Sequence, residues 1–197
     1  MQLHLASSNP GKLAEFKRMA GSRPALTLGL LPDFSSFPVF DENAPTFSEN
    51  AAGKALHYSQ FTDVRIVADD SGLVVPALGG IPGVRSARYA GPNATDRERY
   101  EKLLVEMRDL SGPERRAHFV CAIAVAQSMR PLAVVTARVD GQVLESPRGE
   151  NGFGYDPIFE VVELRKSFAE LSADQKNDIG HRGKAFRRLL EILQPLP

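Results

Sequence analysis

Three capping boxes mark where helices begin in this chain, and β-rich runs lie between them. In a capping box, a Ser or Thr and the Glu or Gln three residues later satisfy free N–H groups at a helix start. The boxes begin at Thr46, Thr95 and Ser172. The runs that predict strands are residues 65–68, 116–126, 132–139, 142–144 and 157–159. Because helices and strands interleave along the chain, the sequence predicts an α/β fold.

The N-terminal region fits the same pattern. Residues 2–6 predict a short strand, and Ser8 or Asn9 is expected to cap a helix that begins at Pro10 and stops near Gly21. Turns and loops are predicted from residue pairs and segments that disfavour helices and strands. Asp140-Gly141 predicts a tight hairpin turn, while residues 32–45 and 78–83 predict loops rich in Pro, Gly or Phe.

Composition limits the kinds of partner. Of 197 residues, 43% are hydrophobic, which is enough for a sizeable core, so we expect a single domain over residues 1–197. Lys plus Arg and Asp plus Glu each number 24, which gives zero net charge. Proteins that grip long nucleic acids usually carry a basic excess. We therefore expect a small anionic partner that binds a local cluster of basic side chains, and we expect no nucleic-acid partner.

The apolar runs are short. The single cysteine, Cys121, lies in one of them and is expected to be a small buried hydrophobe. Residues 1–6 do not form an export signal, and no apolar run approaches the roughly 18 residues of a membrane span. We expect a cytoplasmic protein with no membrane contact.

Two segments have the composition of a phosphate and metal site. The first runs from Ser7 to Lys12 at a strand-to-helix turn, where backbone N–H groups favour anions, although no Walker A pattern is present. Alone, it is explained more simply by a capped helix with an exposed lysine. The second is residues 69–72, where a strand is expected to end on Asp69 and Asp70 and to point them to opposite faces. Mg²⁺ takes one or two protein carboxylates, but a turn leaving the strand explains these residues equally well.

Two further segments could contact a flat ligand. Residues 149–156 place glycines around Phe153, which could stack on a base while Asp156 accepts a hydrogen bond from it; the alternative is a flexible hairpin loop. Residues 176–182 contain three basic groups at or near a helix start, and a solvated helix face is the alternative.

In their order and spacing these segments resemble the inosine triphosphate pyrophosphatase family, the non-standard purine NTP pyrophosphatases. The resemblance covers residues 7–12, 42–54, 67–88, 152–157 and 176–182. The opening motif reads Ser-Ser-Asn, where many relatives have Thr-Gly-Asn. The resemblance implies a homodimer and an elongated, two-lobed α/β fold, in which a long mixed β-sheet is flanked by helices and the active site lies in the cleft between the lobes.

The resemblance also implies a role for each site residue. Asp70 is the catalytic carboxylate that activates water, and it shares a Mg²⁺ ion with Glu42. From strand geometry rather than from the resemblance, Asp69 points the other way and is expected only to support it. Lys54 adds positive charge for the triphosphate, and Ser71 contacts substrate. The triphosphate is cradled by Ser7, Ser8, Asn9, Pro10, Gly11 and Lys12. The base is lined by Phe153, Gly154, Tyr155 and Asp156 and recognised by Lys176, His181 and Arg182.

The implied reaction converts ITP, dITP or XTP to the nucleoside monophosphate and pyrophosphate, which removes these nucleotides from the pool. Arg182 and a protonated His181 can only donate hydrogen bonds, so they suit the purine 6-carbonyl and disfavour adenine. An aspartate of ordinary pKa is a weak base, so metal activation is expected to matter more. Two alternatives remain: an aspartyl-phosphate phosphatase, whose chemistry requires Asp-x-Asp, and a non-catalytic nucleotide- or RNA-binding module.

Overall fold

The computed structural model describes residues 1–21 and 25–193. In these residues seven strands form one sheet: β1 (Gln2–Leu5), β2 (Thr27–Leu30), β3 (Ile66–Val74), β4 (Arg116–Gln127), β5 (Arg130–Val143), β6 (Phe159–Val161) and β7 (Lys166–Ser167). The α-helices of the same residues are α1 (Pro10–Gly21), α2 (Phe47–Ser59), α3 (Asp96–Glu106), α4 (Ala173–Ile179) and α5 (His181–Leu193).

The sheet is mixed, with strand order β2-β1-β3-β4-β5-β6-β7. β1 pairs in parallel with both β2 and β3, whereas β6 pairs antiparallel with β5 and β7. This arrangement confirms the predicted α/β class and its mixed sheet. The short strands β2 and β7 were not predicted from the sequence, because runs of four and two residues carry little periodicity.

The helix starts follow the predicted caps. The backbone N–H of Lys12 donates to Oδ1 of Asn9 at 3.0 Å, which caps α1. Thr46 accepts from the backbone N–H of Glu49 at the start of α2. Complete capping boxes at Thr95 and Ser172 precede α3 and α4. These local hydrogen bonds satisfy N–H groups that the helix itself leaves free, which is why the boxes locate the helix starts.

The hairpin turn predicted at Asp140-Gly141 is wrong, because β5 continues through both residues to Val143. The chain instead turns between β4 and β5 at Ser128 and Met129, both of which have positive φ, at 47° and 62°. Gly141 serves another purpose: a Cβ there would lie 2.3 Å from the backbone oxygen of Glu160. The glycine therefore permits close approach of β6 rather than a reversal of the chain.

The predicted end of the strand at the two aspartates is also wrong. β3 continues to Val74, so Asp69 and Asp70 lie in its middle, and the turn considered for residues 69–72 does not form. A Cβ at Gly72 would lie 2.5 Å from the backbone oxygen of Gly83. The strand predicted at 157–159 begins only at Phe159, after a short 3₁₀ turn.

Contacts divide the chain into two compact units. The first contains residues 1–70, 121–137 and the chain from Arg182 onward; the second contains residues 71–120 and 138–181. Each has its own apolar core, with Phe16, Phe186 and Ile123 in the first unit and Phe119, Phe159 and Phe168 in the second. The expectation of a single domain over residues 1–197 stays a prediction.

Two expectations about the apolar segments can be compared with these cores. Cys121 is fully buried in the core of the first unit, as predicted, and burial raises the pKa of its thiol. Among residues 1–21 and 25–193, no helix has both the length and the apolar character that crossing a membrane requires.

Candidate active site

Strand β3 carries two neighbouring carboxylates into the interior of the first unit. Asp69 is 0% exposed and Asp70 is 5% exposed. Since successive strand residues point to opposite faces, the two side chains meet different partners. The charged groups on each face therefore decide what each carboxylate can do.

Asp69 is surrounded by cations. Its Oδ2 lies 2.8 Å from Nζ of Lys12 and 3.6 Å from Nε of Arg182, and Arg182 also pairs with Glu15. Burial alone would raise the pKa of Asp69, but Lys12, Arg182 and Lys54 hold it below its usual value. Asp69 thus remains charged and fixes the positions of two cations, which agrees with a supporting role.

Asp70 has the opposite electrostatic environment. Burial, followed by the nearby charge of Glu42, raises its pKa to about 6, although a hydrogen bond from Asn50 acts the other way. The Nδ2 of Asn50 donates to Oδ2 of Asp70 at 2.9 Å. The structure therefore departs from the expectation of an ordinary, weakly basic aspartate. A carboxylate with a pKa closer to neutrality is better matched to proton transfer.

Glu42 lies beside α2 and pairs with Lys54 of that helix. The Nζ of Lys54 is 2.5 Å from Oε1 of Glu42. Burial alone would lower the pKa of Lys54, but Glu42, Asp69 and Asp70 outweigh it and raise the pKa. Lys54 consequently stays protonated and places a positive charge among three carboxylates.

The two predicted metal ligands fit Mg²⁺ by their chemistry. Among residues 1–21 and 25–193, no group of three or more His, Cys, Asp or Glu side chains could enclose a metal ion. Glu42 and Asp70 are close enough for the charge of one to raise the pKa of the other. Mg²⁺ binds through one or two carboxylates and completes its shell with water and substrate phosphates, so this pair suits it better than a metal held by protein ligands alone.

The predicted phosphate segment joins β1 to α1. Ser7 is buried and accepts from the backbone N–H of Asn9 at 3.2 Å, whereas Ser8, Asn9 and Pro10 are exposed. Gly11 and Lys12 are half-buried. Through Lys12 this exposed turn is joined to Asp69 on β3. The structure thus brings the segment into the same unit and charge network as the two aspartates.

The second unit brings together three of the predicted base-binding residues. The Oδ2 of Asp156 accepts from the backbone N–H of Phe153 at 2.8 Å and pairs with Lys176. The Nζ of Lys176 also lies 4.7 Å from the centre of the Phe153 ring. A Cβ at Gly152 would lie 2.1 Å from Oδ2 of Asp156, so only glycine leaves room for this carboxylate. Asp156 is thus placed to orient Phe153 and Lys176.

The remaining residues of the predicted base site are held by other contacts. Tyr155 donates to the backbone oxygen of Ser86 at 3.0 Å, and the N–H of Gly154 donates to Asp96. His181 stacks on Phe119 with ring centres 4.6 Å apart. Ser71 is half-buried on β3, and it belongs to the second unit as these residues do.

Residues 176–182 do not share one helix start. Lys176 lies inside α4, and a second helix, α5, begins at His181. Arg182 belongs to the first unit, where its guanidinium is buried against Glu15 and Asp69. Its part in base recognition stays a prediction, and its guanidinium also neutralises the buried carboxylate of Asp69 and the partly buried carboxylate of Glu15.

Asn50 and Glu15 contact site residues but were not named from the sequence, although Asn50 lies in the segment 42–54 that the family resemblance covers. Asn50 is fully buried in α2, four positions after the cap Thr46. The available signal was a polar side chain on a helix face otherwise formed partly by Ala51 and Ala55. Glu15 has no comparable signal, since a single acid on an amphipathic helix is ordinarily solvated.

Comparison with known proteins identifies the family. The model of the Ham1 family matches residues 3–192. The chain belongs to the Ham1 family. It is 47% identical over 190 residues to a dITP/XTP pyrophosphatase of Geobacillus kaustophilus, covering 96% of this chain and 93% of that one. It is 48% identical over 198 residues to a dITP/XTP pyrophosphatase of Thermus thermophilus, covering 100% and 94%.

Solved structures of this family share the fold. A HAM1 protein from Coxiella burnetii has a TM-score of 0.88 and 39% identity over 100% of both chains. The Ham1 protein of Staphylococcus aureus has a TM-score of 0.84 and 40% identity over 98% of both chains. The resemblance inferred from the sequence motifs is therefore confirmed, as is the α/β fold class.

Proposed function

We propose that this Ham1-family protein is a Mg²⁺-dependent pyrophosphatase that converts ITP, dITP and XTP to the nucleoside monophosphate and pyrophosphate, clearing them from the nucleotide pool. The observation that carries the proposal is that Asp70 and Glu42 lie within electrostatic range of each other, with Lys54 paired to Glu42 and Lys12 paired to the neighbouring Asp69. The 47% identity to a protein named dITP/XTP pyrophosphatase supports the choice of substrate.

The phosphate end of the substrate is assigned to the first unit. Lys12 and Lys54 supply positive charge, and the exposed turn from Ser8 to Pro10 supplies polar groups at the start of α1. Charge builds on the phosphate oxygens during phosphoryl transfer, so fixed cations there lower the barrier. Asp69 keeps Lys12 in place, because its buried charge is neutralised by that lysine and by Arg182.

The chemical step is assigned to Asp70. Its carboxylate accepts a proton from a water molecule whose oxygen bonds to the α-phosphorus, while the bond from that phosphorus to the bridging oxygen breaks. The electron pair leaves with pyrophosphate. When held by Glu42 and Asp70, Mg²⁺ offsets the negative charge of the phosphates. Before the ion binds, burial and the charge of Glu42 raise the pKa of Asp70 to about 6, and a bound Mg²⁺ would lower it again.

The base end is assigned to the cluster of Phe153, Asp156 and Lys176. Phe153 offers a ring face for stacking, and the Lys176 ammonium can only donate hydrogen bonds. Together with His181 and Arg182, such donors match the 6-carbonyl of hypoxanthine or xanthine and leave the amino group of adenine unmatched. Sites of this kind can discriminate by roughly 10⁴-fold.

The proposal also covers the location, oligomeric state and partners of the protein. We infer a cytoplasmic homodimer that acts on free nucleotides and not on nucleic acid. Zero net charge supports the absence of a nucleic-acid partner. The dimer is inferred from family resemblance.

A panel of nucleoside triphosphates with Mg²⁺, scored for pyrophosphate and orthophosphate separately, tests the proposal. We expect pyrophosphate from ITP, dITP and XTP, and far slower release from ATP and GTP. Orthophosphate as the first product, or a covalent phosphoenzyme trapped by acid quench, would instead indicate the phosphatase alternative. Binding of ITP without turnover would indicate a non-catalytic nucleotide-binding protein.

A further inference from the structure

The loop that carries Glu42 is fastened to α2 on both sides of that residue. Before Glu42, the Phe40 ring packs against Gly53, where a Cβ would lie 2.7 Å from the ring, and the Phe40 N–H donates to the Tyr58 hydroxyl at 3.3 Å. After Glu42, the Ala44 N–H donates to Oδ1 of Asn50 at 2.9 Å. These contacts hold a segment without regular structure on a rigid helix.

The same Asn50 side chain contacts the strand that carries Asp70. Its Nδ2 donates to Oδ2 of Asp70 at 2.9 Å and lies 3.4 Å from the backbone oxygen of Ala44. One carboxamide therefore joins β3 to the loop of Glu42. Its orientation is fixed, because only the nitrogen can donate to Asp70 and only the oxygen can accept from the Ala44 N–H.

The buried position of Asn50 makes hydrogen bonding of its carboxamide important for the stability of the protein. It is fully buried, and burying a carboxamide without hydrogen bonds destabilises a protein. Its neighbours on the buried face of α2 include Ala51 and Ala55, which shows that small apolar residues suit this helix face. The polar residue is explained by its two attachments, one to Asp70 and one to Ala44.

Without such an attachment, Asp70 and Glu42 have reason to separate. Both are acidic, and their charges interact across the site. Lys54 pairs with Glu42, and Asn50 donates a hydrogen bond to Asp70. Partners that orient metal ligands commonly matter as much as the ligands' own identity.

We propose that Asn50 is a positioning residue that holds Asp70 and the loop of Glu42 in the arrangement in which both carboxylates bind one Mg²⁺ ion. The proposal rests on the proposed function, since it takes Asp70 and Glu42 as the metal ligands. Asn50 itself touches neither substrate nor metal in this scheme. It acts through the orientation of the two carboxylates.

The test compares Asn50→Ala with Ser59→Ala, a matched control on the same helix. Ser59 is also buried, donates to the backbone oxygen of Leu56 at 2.9 Å and accepts from the N–H of Met129 at 3.1 Å. Both substitutions remove buried hydrogen bonds of α2, but only Asn50 is bonded to Asp70 and Ala44. Urea denaturation measures the stability that each substitution removes.

Three measurements separate positioning from a structural role. For Asn50→Ala we expect kcat on ITP at saturating Mg²⁺ to fall about 10–100-fold, and the affinity of the substrate-free protein for Mn²⁺, measured by calorimetry, to fall about tenfold or more. The KM for ITP should change by less than about threefold, because the substrate contacts stay in place. Ser59→Ala should lower stability while keeping kcat and Mn²⁺ affinity.

Asn50→Asp provides a second variant with nearly the same shape. It keeps an oxygen for the Ala44 N–H but places an acceptor where Nδ2 now donates to Asp70. We expect its kcat to fall about tenfold or more. Wild-type kcat in either Asn50 variant would overturn the proposal, as would wild-type Mn²⁺ affinity in Asn50→Ala.

Asp70→Asn distinguishes this failure from that of the proposed function. If Asp70→Asn retains turnover, the assignment of Asp70 is wrong whatever Asn50 does. If Asp70→Asn is inactive and Asn50→Ala behaves as wild type, the positioning role alone is wrong.

Discussion

At the scale of single residues, Asp69 and Asp70 show how partners give adjacent carboxylates different properties. Asp69 faces Lys12 and Arg182, which keep its pKa low, whereas Asp70 faces Glu42 and has a pKa of about 6. The same strand geometry that separates the side chains makes this possible, since their direct partners differ: Lys12 and Arg182 for Asp69, and Asn50 for Asp70. These environments suit the proposed roles, in which Asp69 supports the site and Asp70 takes part in proton transfer.

Asp70→Asn should lower kcat for pyrophosphate release by about 100-fold or more, because the substituted amide cannot accept the proton from water. Steady-state kinetics on ITP at saturating Mg²⁺ measures the effect. Asp109→Asn is the control, since that side chain is 87% exposed and lies outside the site. A loss smaller than about tenfold would contradict the assignment of Asp70 as the general base.

Arg182→Ala should destabilise the protein by about 3–5 kcal/mol, because the mostly buried carboxylate of Glu15 would lose its ion pair with Arg182, and Asp69 would keep Lys12 but lose its second neighbouring cation. Urea denaturation measures the loss. Arg97→Ala is the matched control: it breaks an ion pair with Glu101, but Arg97 is 77% exposed. Exposed pairs contribute only about 0–1 kcal/mol, so equal losses in the two variants would contradict the argument.

Arg182→Lys separates charge from base recognition. The lysine keeps a cation for Glu15 and Asp69 but lacks the planar fork of donors that arginine presents. If Arg182 also contacts the 6-carbonyl, the preference for ITP over ATP should fall by about tenfold. Competition kinetics with both nucleotides in one reaction gives this ratio directly, and an unchanged ratio would refute the recognition role.

At the scale of helices and strands, the sequence was informative wherever structure depends on local hydrogen bonds. The boxes at Thr95 and Ser172 predicted helix starts because each is satisfied within four residues. The Asp140-Gly141 pair misled for the opposite reason. Glycine is required there by a strand distant in sequence, β6, and nothing in the local pattern distinguishes that need from a turn.

Gly141→Ala should lower the free energy of unfolding by about 1–3 kcal/mol. Its Cβ would lie 2.3 Å from the backbone oxygen of Glu160 and 2.6 Å from the ring of Phe159, so β5 and β6 would have to move apart. Gly29→Ala is the control in another strand, β2, where a Cβ would have no neighbour within 4 Å. Thermal denaturation of the two variants should give a clear loss for the first only.

At the scale of the whole molecule, residues of the proposed site could be named from the sequence, whereas the contacts that join them could not. Lys12 and Asp70 lie in segments whose composition suits phosphate and Mg²⁺, whereas Glu42 was named through the family resemblance; their roles stay predictions. The pairing of Arg182 with Glu15 joins residues 167 positions apart, and the bond from Asn50 to Asp70 spans 20. Such contacts depend on how helices pack on the sheet, which residue spacing does not encode.

The distribution of apolar residues also predicts how the protein responds when metal is removed. Each unit has an apolar core of its own, so the fold should persist in EDTA while pyrophosphate release is lost. A ligand at tenfold its Kd adds only about 1.4 kcal/mol. For a chain of this size, that corresponds to roughly 3–6 °C in Tm.

Circular dichroism melts with EDTA and with Mg²⁺ should therefore show two folded states that differ by no more than about 6 °C. Asp70→Asn is the control, because loss of a metal ligand should reduce that difference. Unfolding in EDTA at room temperature would contradict the argument, since it would mean that the metal holds the fold together. Undiminished turnover in EDTA would contradict the expected loss of pyrophosphate release, because Glu42 and Asp70 would then act without a metal ion.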